Sequence, residues 1–214
     1  MKVSIIITNY NYSCFLDRCI RSAFVQNFDK NDFEIIVVDD ASTDTSKNVI
    51  KSYNNLIKSV LLKKNLGLSA ARNIGIEKSK SDLIVFIDAD DYIHRDMISI
   101  QYSFLKYNPS WDSAAVDYFI VDDMEEHIDR KNCEKESIAC GIMYRKKQLI
   151  DVGKFDEKFK IHEEVDFKIR FLKKYNINRI PLPLYRYRKH GNSLTDNKEL
   201  SKKYLDKLKL KHRE

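Results

Sequence analysis

Glycine is scarce in this chain of 214 residues: there are five, and the first is Gly67. That argues against a glycine-rich loop cradling a phosphate behind the first strand, and so against a nucleotidyltransferase, which stays an alternative reading. With three prolines and no low-complexity stretch, no flexible linker divides the chain. The four cysteines (Cys14, Cys19, Cys133, Cys140) form no CxxC pair and no Cys/His cluster of zinc spacing, so ordinary reduced thiols are expected. No apolar run has the length of a membrane-spanning helix. Met1-Lys2-Val3-Ser4-Ile5 enters a strand pattern at once rather than a signal peptide, which makes a soluble cytoplasmic protein the expectation.

The net charge is +6, and much of the excess lies near the end, in Lys198, Lys202, Lys203, Lys207, Lys209, Lys211 and Arg213. No RNA-binding signature or zinc finger accompanies it, so nucleic acid is not the expected partner. The plainer reading is the solvated face of a final amphipathic helix carrying Leu200, Tyr204, Leu205 and Leu208. A contact with the inner face of a membrane is the second.

What is present is an alternation of strands and helices. Residues 3–7, 33–38, 59–62 and 83–87 read as strands. Phe15 to Phe24 has helical apolar spacing, Ser42 or Thr43 is placed to cap a helix running to about Tyr53, and Leu68 to Ile76 is a third helix. This pattern predicts an α/β fold with a largely parallel sheet between helices, whose ligands gather at the carboxyl ends of the strands. Further on, 114–121, 138–144 and 181–187 read as strands, 146–152 and 163–175 as helices, and 122–137 as a charged, mobile connection.

Polar clusters follow three of those strands: Thr8-Asn9-Tyr10-Asn11, Asp39-Asp40 and Asp88-Ala89-Asp90-Asp91. The last sits at the mouth of a buried strand, where unpaired carboxylates repel and are costly to bury. A divalent cation with oxygen ligands removes that cost and can also hold a phosphate. An aspartate-nucleophile phosphatase is set aside because its Asp-x-Asp belongs after the first strand.

Taken together, Ser4 to Asn11, Ile36 to Asp44, Asn65-Leu66-Gly67-Leu68-Ser69-Ala70-Ala71-Arg72-Asn73, Phe86 to Asp91, Gly153 to Glu157, His162-Glu163-Glu164-Val165-Asp166 and Tyr185 to Ser193 resemble the inverting family 2 glycosyltransferases. The resemblance implies a GT-A fold, a Rossmann-like mixed sheet flanked by helices. It divides the chain into a domain over 1–195 (a nucleotide-binding half, 1–110, and an acceptor-binding half, 111–195) and a basic C-terminal helix over 196–214. The implied activity moves a sugar from a nucleoside-diphosphate donor, a UDP-sugar, to a hydroxyl of a growing surface glycan or lipid-linked acceptor, with Mn²⁺ or Mg²⁺.

The resemblance also assigns roles, each beside a plainer one. Tyr10 stacks on uracil with Thr8 and Asn9 beside it, or packs under its loop. Asp40 accepts the uracil imide N–H with Asp39 in support, or both cap the next helix. Arg72 meets the nucleotide, or forms a surface ion pair. Asp88 meets ribose or the metal shell, Asp90 binds the cation, and Asp91 supports the loop. His190 completes the metal shell, or is a lone loop histidine. Glu164 is the catalytic base, with Glu163 supporting it, or the two complement a helix N-terminus. The family pattern there is Glu-Asp; a Glu in the second place reaches one methylene further. A non-catalytic nucleotide-binding scaffold subunit of a glycan-assembly complex is the competing reading.

Overall fold

The computed structural model describes residues 1–190 and 198–212, with side chains in the second segment from 201 onward. The Gly191-Asn192-Ser193 end of the last motif and the boundary at 195/196 lie outside the described residues. Nine strands form one sheet in the order β3-β2-β1-β4-β8-β6-β9-β5, with β7 paired to β6. The first half is a parallel block: β1 (Val3–Asn9) lies between β2 (Phe33–Asp39) and β4 (Leu83–Asp88), and β3 (Lys58–Leu61) extends it beside β2. Every residue of β1 is buried, as helices on both faces of a parallel sheet require. Between these strands run α1 (Ser13–Phe24), α2 (Ser46–Ser52) and α3 (Leu68–Lys78).

The sheet does not stop at residue 110. After β5 (Tyr92–Ile93) and α4 (Met97–Tyr107), β6 (Ser113–Val121) and β7 (His127–Lys131) form an antiparallel pair. β8 (Ile142–Arg145) then runs antiparallel to both β4 and β6, joining the two expected halves. α5 (Lys146–Asp151) and α6 (Glu163–Leu172) precede β9 (Ile177–Arg188), which pairs with β6 and, in the other sense, with β5. The final helix is α7 (Lys198–Lys211).

Four expectations are corrected. Residues 127–131 form β7 rather than a mobile link, because their backbone is taken up by the edge of β6. Neither Ser42 nor Thr43 caps α2, which starts at Ser46; the Ser42 hydroxyl instead receives Asn9 Nδ2 and the Asn11 N–H. α4 was not foreseen because its inner face, Met97, Ile98, Gln101 and Leu105, is broken by a polar residue. Gln101 is buried there, donating to the carbonyls of Ala114 (2.8 Å) and Gly141 (2.9 Å). Nor is α7 simply a solvated helix: Leu208 is buried, and Lys211 pairs with Asp156 and Asp166.

One close approach fixes how α3 lies on the sheet. Gly75 faces Ile6, and a Cβ at that position would fall inside the Ile6 side chain. Gly75→Ala gains helix propensity of about 1 kcal/mol, but overpacking of a rigid interior costs about 1–3 kcal/mol. The expected result is a lower thermal midpoint, read by circular dichroism; an unchanged or raised midpoint would contradict this packing.

Candidate active site

The strand register brings the polar clusters to one level. Asn9 stands opposite Asp39 and Thr8 opposite Asp88, so the ends of β1, β2 and β4 open on a single edge. Asn9 turns inward: its amide donates to Asp39 Oδ1 at 2.7 Å and to Ser42 Oγ at 3.1 Å. It braces the turn rather than facing a ligand, and Asp39, fully buried, also receives the Ser42 N–H at 3.1 Å. Thr8 is buried, with its hydroxyl 3.4 Å from Asp88 Oδ1. Tyr10 is 45% exposed, leaving ring surface open at the sheet edge.

Asp40 does structural work that the sequence did not disclose. Its two carboxylate oxygens receive the N–H groups of Leu66 and Gly67, each at 2.7 Å. Those contacts set the turn into α3, where Gly67 holds a positive φ of 93°. Each oxygen keeps a second lone pair for another donor.

Arg72 is not a surface cation. It is 1% exposed and bridges two carboxylates, Glu163 at 2.8 Å and Asp88 at 2.9 Å. Its guanidinium lies 5.2 Å from the centre of the Phe155 ring. The result is a continuous Asp88–Arg72–Glu163 chain from the end of β4 to the start of α6. Nη1 and Nη2 are thus occupied by carboxylates, while among the described residues Nε has no hydrogen-bond partner. Burial pushes Glu163 up to about 7; Arg72 opposes this and Glu164 adds to it. Burial likewise raises Glu164 above the usual carboxylate range.

The acidic turn splits by function. Asp91 is buried and faces inward, receiving the Tyr185 hydroxyl at 2.5 Å and the Arg188 N–H at 2.8 Å. Asp90 Oδ2 lies 3.0 Å from His190 Nε2. Residues a hundred positions apart in sequence therefore meet at one point. His190 is held between rings, stacked on Phe15 at 5.1 Å and edge-on to Tyr12 at 5.5 Å. Burial and the nearby Asp88 raise the Asp90 carboxyl, and burial together with Asp90 raises Asp91 further.

Asp90 and His190 suit a small hard cation. Their 3.0 Å contact is a hydrogen bond, so the two side chains converge closely enough to share one ion. Among the described residues no group of three or more His, Cys, Asp or Glu side chains forms a cage. Two protein donors leave positions for water and phosphate oxygens, which is how Mg²⁺ is commonly held beside a nucleotide. Arg188 acts as a lock on this turn: its Nε donates to the Asp90 carbonyl at 3.0 Å and its Nη2 reaches Glu125 at 3.1 Å. Arg186 donates to the Pro183 carbonyl at 2.7 Å.

Glu164, in the first turn of α6, keeps 30% of its side chain exposed. It lines a cavity of about 220 Å³ together with Lys168, Ser137, Ile138, Tyr144 and Phe167. Tyr144 is 3% exposed, and among the described residues neither its hydroxyl nor the Lys168 ammonium has a polar partner. Tyr12, Phe15, Tyr185 and Tyr144 are the site residues that sequence reasoning missed. Tyr12 and Phe15 follow the Asn-Tyr-Asn motif directly, and that aromatic spacing was the available signal.

Residues 4–175 match the model of the family described as glycosyl transferase family 2. The chain is 32% identical over 197 residues to the poly(ribitol-phosphate) beta-N-acetylglucosaminyltransferase TarP of Staphylococcus aureus, covering 82% of this chain and 60% of that protein. It is 37% identical over 114 residues to the poly(ribitol-phosphate) beta-glucosyltransferase of Bacillus spizizenii, covering 51% of this chain and 18% of that protein. It thus spans less than two thirds of these relatives. Among solved structures, S. aureus TarS 1–349 in complex with UDP-GlcNAc aligns with a TM-score of 0.81 at 24% identity, over 92% of this chain and 61% of that one. The mannosyltransferase PcManGT of Pyrobaculum calidifontis, in complex with GDP-Man and Mn²⁺, aligns at 0.74 and 14% identity, over 98% of this chain and 63% of that one. These likenesses show the fold, which is GT-A. The family match begins within β1 and runs past α6, taking in every strand except β9, and on it the chain belongs to glycosyl transferase family 2.

Proposed function

We propose that the chain is an inverting glycosyltransferase that moves a sugar from a UDP-sugar to a hydroxyl of a surface glycan or lipid-linked acceptor. The observation that carries this reading is the Asp88–Arg72–Glu163 chain. It ties the donor end of the site to the helix that bears Glu164, so the two ends keep a common geometry. Uracil stacks on Tyr10 and its imide is received by the free lone pairs of Asp40. Asp90 and His190 would hold a Mn²⁺ or Mg²⁺ ion, which would supply charge neutralisation at the departing diphosphate.

The acceptor enters the cavity beside Glu164. Its hydroxyl oxygen attacks the anomeric carbon from the face opposite the diphosphate. The bond from that carbon to the phosphate oxygen breaks, UDP leaves with the electron pair, and the hydroxyl proton passes to Glu164. Raised by burial, Glu164 is a stronger base than an ordinary carboxylate once ionised. The names of relatives support the donor: UDP-GlcNAc is bound in one solved neighbour, and glucosyl and N-acetylglucosaminyl transfer are named among curated relatives. Those curated names also bring a polyol-phosphate polymer within the proposed acceptor class, and Lys168 is placed to meet its phosphate.

The test is a screen of UDP-glucose, UDP-galactose and their N-acetyl forms for slow donor hydrolysis, with and without Mn²⁺. Metal-dependent release of UDP from at least one is the expected result. Tight UDP binding with no turnover under any condition would replace the enzyme by a scaffold. Indifference to both uridine nucleotides and metal would remove the reading altogether.

A further inference from the structure

We infer that α7, which lies beyond the family match, is a positioning element for the catalytic helix, acting through His162. The inference rests on the proposed role of Glu164 as base. His162 immediately precedes the Glu163–Glu164 pair and takes a left-handed conformation, with φ of 60°, at the entry to α6. A non-glycine residue keeps that conformation only where its surroundings hold it. Its Nε2 lies 2.7 Å from the Ser201 hydroxyl of α7, and its Nδ1 lies 3.9 Å from Glu164 Oε1.

The rest of the helix fastens the same segment. Asp166, on the first turn of α6 and fully buried, is met by Lys211 at 2.6 Å and His212 at 2.8 Å. Lys207 donates to the Lys158 carbonyl at 2.6 Å, and Tyr204 packs against Phe159 with ring centres 6.0 Å apart. The family match ends at 175, whereas α7 begins at Lys198, so the brace for this pair lies outside the matched segment. A longer glutamate has one more rotor to immobilise, and the Ser201–His162 contact restrains the turn from which it projects.

Ser201→Ala in the full chain is the test, because it removes the hydroxyl and little else. Turnover should fall by about tenfold, the scale on which small misplacements of a reacting group act, with donor KM within a factor of two. Ser201→Thr, which keeps the hydroxyl, should restore most of the rate. Independently of turnover, backbone hydrogen exchange over 163–166 should quicken severalfold in Ser201→Ala while β4 is unchanged. Unchanged exchange there overturns the inference, as does a rate equal to the parent's or a loss that Ser201→Thr fails to restore. A parent chain inactive on every UDP-sugar would sink the proposed function, and the exchange measurement would still decide the role of α7.

Discussion

Asp90→Ala is expected to reduce sugar transfer by at least about a thousandfold, equivalent to some 4 kcal/mol of barrier, while the protein stays folded. The carboxylate is a donor to the proposed cation, and His190 alone is a poor substitute because Mg²⁺ and Mn²⁺ prefer oxygen. The fold should tolerate the change for a separate reason. Burial and Asp88 already make the ionised Asp90 side chain unfavourable, and the Arg188 lock uses the Asp90 backbone carbonyl, which alanine keeps. The thermal midpoint should therefore be equal or higher. Chelation of metal from the parent protein should reproduce the kinetic loss, and added Mn²⁺ should reverse it in the parent but not in the variant. Parent-like rates in Asp90→Ala with a competent donor would end the metal assignment.

Glu164→Gln is expected to stop turnover almost completely, by about 10²–10⁴-fold for loss of a general base, with UDP affinity within a factor of two of the parent. The amide fills the same space but cannot accept the acceptor's proton. The same pair of glutamates predicts how stability varies with pH. Both have folded-state pKa values above the ordinary one, Glu163 at about 7 and Glu164 above the usual carboxylate range. The folded chain therefore holds protons that the unfolded chain has released, and stability from this pair declines as pH rises. For Glu163 the window runs from the ordinary glutamate value near 4.5 to about 7. Melting curves over that range should show the decline, and Glu164→Gln should flatten it by removing one like charge from the pair. A variant that turns over normally would remove Glu164 as base; one whose melting follows the parent curve at every pH would refute the electrostatic account.

Much of the parallel block could be read directly. β1, β2 and β4 are continuous apolar runs ending in polar residues, and a strand buried on both faces produces that pattern. The later half was harder because its elements depend on distant partners. β7 carries His127, Asp129, Arg130 and Lys131, a composition with no strand signal, and it exists because β6 offers an open edge. The buried face of α4 contains Gln101, which periodicity counts as a polar interruption and the fold uses to tie α4 to β6 and to the entry of β8. Site residues followed the same rule. Motif spacing marked Asp90 and His190, but which oxygens of Asp40 were already occupied, and that Arg72 was buried between Asp88 and Glu163, depended on contacts no local pattern encodes.

The last of the described strands completes the acidic turn. Asp91 finds its partners 94 and 97 residues downstream, at Tyr185 and Arg188, and β5 has no strand neighbour until β9 arrives. During synthesis the parallel block can therefore form early, whereas the acidic turn waits for β9. Such long-range closure makes for slow folding.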